Sequence, residues 1–154
     1  QTGGARLATT EAEVRDEGLR KAESHLGAPY SWGASGPSMF DCSGFAWYVL
    51  HTDTHLTHSG RTNAAGLAHG VTTGTGAPEK GDLVFYAQGG SINHVTIAAG
   101  SGSRTIGASG GGHNTHGQNP NAKVKYTDWH RDHRAVTFGS IRALINARLH
   151  APTT

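Results

Sequence analysis

At Gly81 the pattern of this 154-residue chain changes. Up to that point the apolar residues recur at helical spacing; beyond it they alternate with period two. "DLVFYA" (82–87), "HVTIAA" (94–99), "RTIGAS" (104–109), "KVKY" (123–126) and "AVTFGSIR" (135–142) each read as a strand. Short Gly/Ser connections join the first three, which predicts an antiparallel meander. Helices first and strands second make an α+β domain built on one sheet.

Within the helical half, Thr10 and Glu13 form a capping box ahead of a helix that carries Val14, Ala22 and Leu26 roughly on one face, with Leu19 nearby. Gly27 and Pro29 end it, and Gly33–Ser38 reads as loop. The run Cys42–Leu50 is apolar on nearly every side. It reads as a buried helix capped by Asp41, with a buried strand as the alternative because Trp, Tyr and Val favour strands. His51–Gly60 is a polar connection. Asn63–His69 is a short helix, with Thr62 or Asn63 as its cap and Gly70 at its end. Residues 109–121 form a long loop of low apolarity, and such loops are functional or mobile. The expected organisation is one domain over residues 10–147, with tails at 1–9 and 148–154.

Composition removes several function classes. Apolar residues make up 35% of the chain and there are 23 glycines, which predicts long loops over a compact centre. The net charge is +2 and the 13 basic residues are scattered without interleaved aromatics, so nucleic acid is not an expected partner, whereas an acidic polymer such as a cell wall suits that charge. No stretch approaches the roughly 18 apolar residues of a membrane-spanning helix. No signal peptide is visible, and a chain opening on Gln1 is expected to be a processed product or an excised domain.

Cys42 is the single cysteine, so an intrachain disulfide is excluded. It sits in Asp41-Cys42-Ser43-Gly44, where a loop meets an apolar run. One reading makes it a nucleophile, since the first turn of a helix presents unpaired N–H groups and a positive dipole end that ease thiol ionisation. The other makes it a small buried hydrophobe. A nucleophilic cysteine needs a base. Among 11 histidines, His94 stands out because it opens a strand at the sheet edge. His51, His55, His58, His113, His116, His130, His133 and His150 lie in polar loops or tails and read as solvated. A rival reading uses the spacing of His51, His55 and His58, with His113 and His116, to hold zinc, although no carboxylate or cysteine cluster accompanies them.

Three segments together resemble the NlpC/P60 cysteine peptidases. They are "LGAPYSWGASGPSMFDCSGFAWYVL", "GRTNAAGLAHG" and "PEKGDLVFYAQGGSINHVTIAAGSG", which carry PYxWG, DCSGF, GDLVFY and HVxIAxG in that order. The resemblance covers about Ala22–Ser109. It implies a papain-like α+β fold, with N-terminal helices packed on a mostly antiparallel sheet of five to six strands. It also implies hydrolysis of bacterial peptidoglycan stem peptides, usually between D-glutamate and a diamino acid, by a monomer needing no metal or cofactor and acting outside the cell or in the wall. By the same resemblance Cys42 matches the nucleophile and His94 the base. Tyr30 matches a tyrosine near the oxyanion, and Asp41 and Ser43 match positions that grip the peptide. Arg61 matches the arginine of a short "RT" motif, with a structural salt link as the alternative.

The family's third polar residue, often a histidine in an Ile-His-Ala context, has no counterpart here: Gly107 stands at that position. His113 is the favoured substitute, with Ser109, Asn114 and His116 as other candidates. "GASGGG" and the later "NAKVKY" are similar to the phage-borne, lytic branch of the family. A wall-binding module without turnover, and acyl transfer to an acceptor other than water, are the competing functions.

Overall fold

The structure, a computed structural model, describes residues 8–151. Helix α1 (Glu11–Glu23) starts with the expected capping box, in which the Thr10 hydroxyl accepts from the Glu13 N–H and Glu13 reaches back to the Thr10 N–H. Val14 and Ala22 are buried on its inner face. Leu26 falls beyond the end of the helix and is 42% exposed, so it is not part of that stripe.

Helix α2 (Cys42–Tyr48) is the buried helix rather than the strand, and Asp41 caps it by accepting from the Gly44 N–H at 2.7 Å. A side chain at Gly44 would lie 2.1 Å from the Ala34 carbonyl oxygen, so the loop before the helix packs against it only because Cβ is missing. The helix runs on into a π-helical turn, Val49–Asp53, where the sequence pointed to a polar connection from His51. Thr54 closes that turn by donating its hydroxyl to the Val49 carbonyl at 2.7 Å. Asp53, at the end of the turn, bonds His25 Nε2 at 2.8 Å, and the His25 ring sits edge-on to Phe40, Phe45 and Tyr48. Helix α3 (Ala64–His69) follows, capped by Asn63.

One sheet of six strands carries the second half. These are β1 (Thr72–Gly74), β2 (Leu83–Gln88), β3 (Ser91–Ala98), β4 (Arg104–Ser109), β5 (Lys123–Asp128) and β6 (Ala135–Ser140). Their spatial order is β1-β6-β2-β3-β4-β5, with every neighbouring pair antiparallel. The meander β2-β3-β4 is the expected one, while the short edge strand β1 had no period-two signal. Strand β6 stops at Ser140, two residues early, and the chain enters helix α4 (Arg142–Leu149), which takes in residues 148 and 149 of the expected tail. Of the expected N-terminal tail, residues 1–7 lie outside the described residues, whereas Ala8 packs against the core.

The centre of β2 is buried on both faces. Leu83 and Phe85 join the main core under the helices, together with Phe45, Val95 and Ile97. Val84 and Tyr86 face a second cluster with Ala98, Phe138 and Trp129. A buried ion pair locks the helical half to the sheet. Arg15 donates to Asp82 at 2.9 Å and to the Lys80 carbonyl at 2.7 Å, while Asp82 also accepts from the N–H groups of Glu79 and Ile141. The Asp of "GDLVFY" thus ties α1, the start of β2 and the entry to α4 together.

Candidate active site

A cleft of about 780 Å³ opens where the N-terminus of α2 meets strands β2, β3 and β4. The helical side contributes Tyr30, Asp41, Cys42, Ser43 and Arg61. The sheet contributes Tyr86, His94 and Ser109, and the loop after β4 contributes Gly110–Gly112 and His113. The fifty-two positions that separate Cys42 from His94 in the chain are therefore folded into one concave site.

Asp41 organises the helical side. Its Oδ1 accepts from the Gly44 N–H, from Arg61 Nη2 at 2.6 Å and from the Ser43 hydroxyl at 3.3 Å, and its Oδ2 accepts from the Gly33 N–H at 2.9 Å. Arg61 Nη1 also donates to Ser43 Oγ at 2.9 Å and to the Thr62 carbonyl. Arg61 thus makes the salt link of the alternative reading, and the helix start is held by a cation, a carboxylate and a hydroxyl bonded to one another, although the buried Arg61 Nε has no partner. A carboxylate offers about four acceptor positions, so most of Asp41's capacity goes to the helix.

The Cys42 thiol is pushed above its usual value, chiefly by burial and then by the Asp41 charge. Backbone N–H groups of Val95 and Ser43, and the Arg61 cation, favour the thiolate but do not reverse the sign. The help expected from the helix terminus is outweighed by desolvation. His94 moves the other way: burial, and then the Arg134 cation, lower it from 6.5 to about 4, while Asp132 works against them. At neutral pH the resting pair is therefore a thiol and a neutral imidazole. Burial, then Cys42 and Asp41, push the Tyr30 phenol well up, so it stays a protonated donor beside the sulfur.

The sheet positions His94 through a bulge. Tyr86 pairs with His94 and Ala87 with Ile92, which leaves Asn93 as the extra residue. The His94 ring packs against Tyr86 with centroids 5.0 Å apart. Strand β4 pairs Ile106 with Ile97 and Thr105 with Ala98; continuing that register sets Gly107 opposite Thr96 and Ser109 opposite His94. Ser109 Oγ lies 3.3 Å from His94 Nε2. A side chain at Gly107 would meet Thr96 Cγ2 at 2.8 Å, and the Thr96 hydroxyl is itself bonded to Tyr86 at 2.9 Å.

The model of the NlpC/P60 family matches residues 27–134. This chain belongs to the NlpC/P60 family. Among curated proteins it is 45% identical over 82 residues to a probable endopeptidase p60 of Listeria grayi, an alignment covering 53% of this chain and 16% of that protein. It is 34% identical over 122 residues to protein P54 of Enterococcus faecium, covering 78% of this chain and 22% of that one. The chain thus spans less than a quarter of the length of either relative. The solved NlpC/p60 domain of the peptidoglycan hydrolase SagA superposes with a TM-score of 0.65 at 27% identity, covering 82% of this chain and 98% of that domain.

This NlpC/P60 domain brings Tyr30, Asp41, Cys42, Ser43 and His94 to one cleft, along with His113. The His113 ring, however, stacks on Trp32 with centroids 3.9 Å apart, and the polar side chain on the His94 imidazole is Ser109. The favoured substitute for the third polar residue is thus at the rim of the cleft, held by an aromatic face. Asn114 and His116 are engaged through their backbones with Gln118. His51, from the rival zinc reading, stacks on Trp47 at 4.4 Å and bonds Thr52. Among the described residues no group of three or more His, Cys, Asp or Glu is placed to hold a metal, and no helix is long and apolar enough to cross a membrane. Sequence reasoning missed Trp32, Tyr86, Asn93, Asp132 and Arg134, all of which line the cleft. Tyr86 carried a signal in its alternation with Phe85; Asp132 and Arg134 come from a polar stretch with none.

Proposed function

We propose that this domain is a cysteine peptidase that cleaves an amide bond of bacterial peptidoglycan stem peptides, between D-glutamate and a diamino acid, at or outside the cell surface. The names of its relatives support the substrate, since SagA is a peptidoglycan hydrolase and p60 a probable endopeptidase. The observation that carries the chemistry is the arrangement of His94. Ser109 engages Nε2, which leaves Nδ1 as the imidazole nitrogen available to the Cys42 thiol in the same cleft.

The pair starts neutral. As Sγ attacks the scissile carbonyl carbon, its proton passes to His94 Nδ1 and the carbonyl oxygen becomes an oxyanion. In this reading the Tyr30 hydroxyl and the Cys42 N–H at the start of α2 donate to that charge, each worth about 3 kcal/mol in the transition state. Collapse of the intermediate breaks the C–N bond, and the proton on Nδ1 goes to the departing amine. Water, deprotonated by the same nitrogen, then attacks the acyl carbon; the C–S bond breaks, and the proton on Nδ1 returns to sulfur as the carboxylate product leaves. Ser109 keeps the ring oriented through both halves, in the manner of a third group in a triad.

The experiment is mass spectrometry of fragments released from defined muropeptides. The wild-type domain should release fragments split at the D-glutamyl bond, and Cys42→Ser and His94→Ala should release none while keeping their circular dichroism. Full cleavage by Cys42→Ser would refute the nucleophile. Tight binding to peptidoglycan without fragments from the wild type would make this a wall-binding module.

A further inference from the structure

Arg134 forms part of the cleft wall on the His94 side. It is held with care for a residue at the end of a polar loop. Its Nε and Nη2 donate to the two oxygens of Asp132, both at 2.8 Å, and its Nη1 donates to Asn93 Oδ1 at 3.0 Å. The guanidinium carbon lies 5.0 Å from the centroid of the Tyr86 ring, the same ring that packs on His94. A guanidinium has five N–H bonds. Three are used, and one hydrogen on each Nη atom has no partner among the described residues. The other cation in the cleft, Arg61, spends both terminal nitrogens on Asp41, Ser43 and Thr62.

The position of Arg134 has a chemical meaning once the reaction has a direction. Asp41 adjoins Cys42, whereas Asn93, which grips Arg134, adjoins His94. The imidazole must deliver a proton to the departing amine, so the residue on the leaving side of the scissile bond lies on the His94 side. Two unused N–H donors on an oriented guanidinium suit a planar anion there. Asp132 is consumed in holding Arg134, and the remaining carboxylate on that wall, Asp128, is turned to the His130 N–H and Arg131.

We infer that Arg134 is the carboxylate-binding residue of the leaving-group half of the cleft, and that it selects stem peptides whose diamino acid carries a free second carboxylate over those in which that group is amidated. This rests on the peptidase reading for its direction, but its test does not depend on turnover. Two γ-D-glutamyl-diaminopimelate peptides, one with the side-chain carboxylate free and one with it amidated, are titrated calorimetrically into the inactive Cys42→Ala domain. The free carboxylate should bind about tenfold more tightly, as one charge-assisted pair allows. Adding Arg134→Gln should bring the ratio to about one, and Arg134→Lys, which keeps the charge and loses the fork, should give an intermediate ratio. Equal affinity for the two peptides in the Cys42→Ala domain overturns the assignment, whether or not the Arg134 variants fold. Cleavage of the same peptides by the wild type is read separately: absence of Cys42-dependent products defeats the peptidase, while Cys42-dependent products together with equal affinities defeat only the role of Arg134.

Discussion

Cys42 and His94 share one cleft, yet they are held in opposite ways. The sulfur stands on a helix start fastened by Asp41, Arg61, Ser43 and two backbone N–H groups, with only the buried Arg61 Nε left without a partner. The imidazole stands beside a bulge within the interior strand β3, not at the strand start on a sheet edge that the sequence suggested, with one side-chain hydrogen bond of 3.3 Å and the Tyr86 ring beside it. The helical side is over-determined, so damage there reaches the fold. The sheet side is determined by few contacts, so neutral substitutions there are expected to reach the proposed reaction before the fold, while a charge on the buried His94 ring is expected to reach the fold.

The strongest way to break this contrast is Asp41→Ala. It removes the cap of α2 and leaves Arg61 without its carboxylate, and should cost about 3–5 kcal/mol of stability in denaturant unfolding. A loss below about 1 kcal/mol would show that the helix start does not depend on the network. Next comes acid. His94 is lowered from 6.5 to about 4 in the folded domain, so between those pH values the unfolded chain binds more protons. Its contribution to stability is therefore full above pH 6.5 and is lost as pH falls toward 4, by about 2–3 kcal/mol. His94→Gln should flatten that part of the profile, and an unchanged slope would mean that the ring is solvated.

The third test sharpens the sheet side. Ser109→Ala should lower kcat about tenfold, equivalent to about 1.4 kcal/mol, with the thermal midpoint unmoved and KM little changed. An undiminished kcat would leave Tyr86 packing as the sole restraint on the ring. The smallest effect belongs to His113→Ala, which frees one face of Trp32 and should change kcat by less than about twofold, or about 0.4 kcal/mol. A loss as large as that of Ser109→Ala would return His113 to the position of third group.

What could be read from the sequence was what has a short period or a local motif. The capping box at Thr10–Glu13, the meander β2-β3-β4 and the Asp41 cap are each set by residues a few positions apart, and the chain displays them directly. The π-helical turn at Val49–Asp53 is settled by tertiary partners, His25 on Asp53 and Arg148 on the Thr54 carbonyl, which no local pattern announces. The same holds for α4: "AVTFGSIR" alternates well enough to look like one strand, but Asp82, 59 residues away, accepts the Ile141 N–H and ends it. In the site, Cys42 and His94 were readable because a motif surrounds each. The partner of His94 was narrowed only to four candidates, Ser109 among them, because a bulge and a strand register decide between them; His113, the favoured one, lies in the same cleft with its ring against Trp32.

The Tyr86–Thr96 hydroxyl pair has a consequence for how this chain can change. The Thr96 methyl fills the volume that a side chain at position 107 would claim, so Gly107→His alone drives Cβ into the buried Thr96, whose hydroxyl is held by Tyr86. Thr96 would have to shrink first, and that step by itself leaves a void and takes one of two hydroxyl partners, Thr96 and Thr105, from the buried Tyr86 phenol. Neither order of events is free of a defective intermediate. An imidazole at position 107 therefore demands a coupled change at Thr96, and with Gly107 in place the orientation of His94 is left to Ser109 on the same strand.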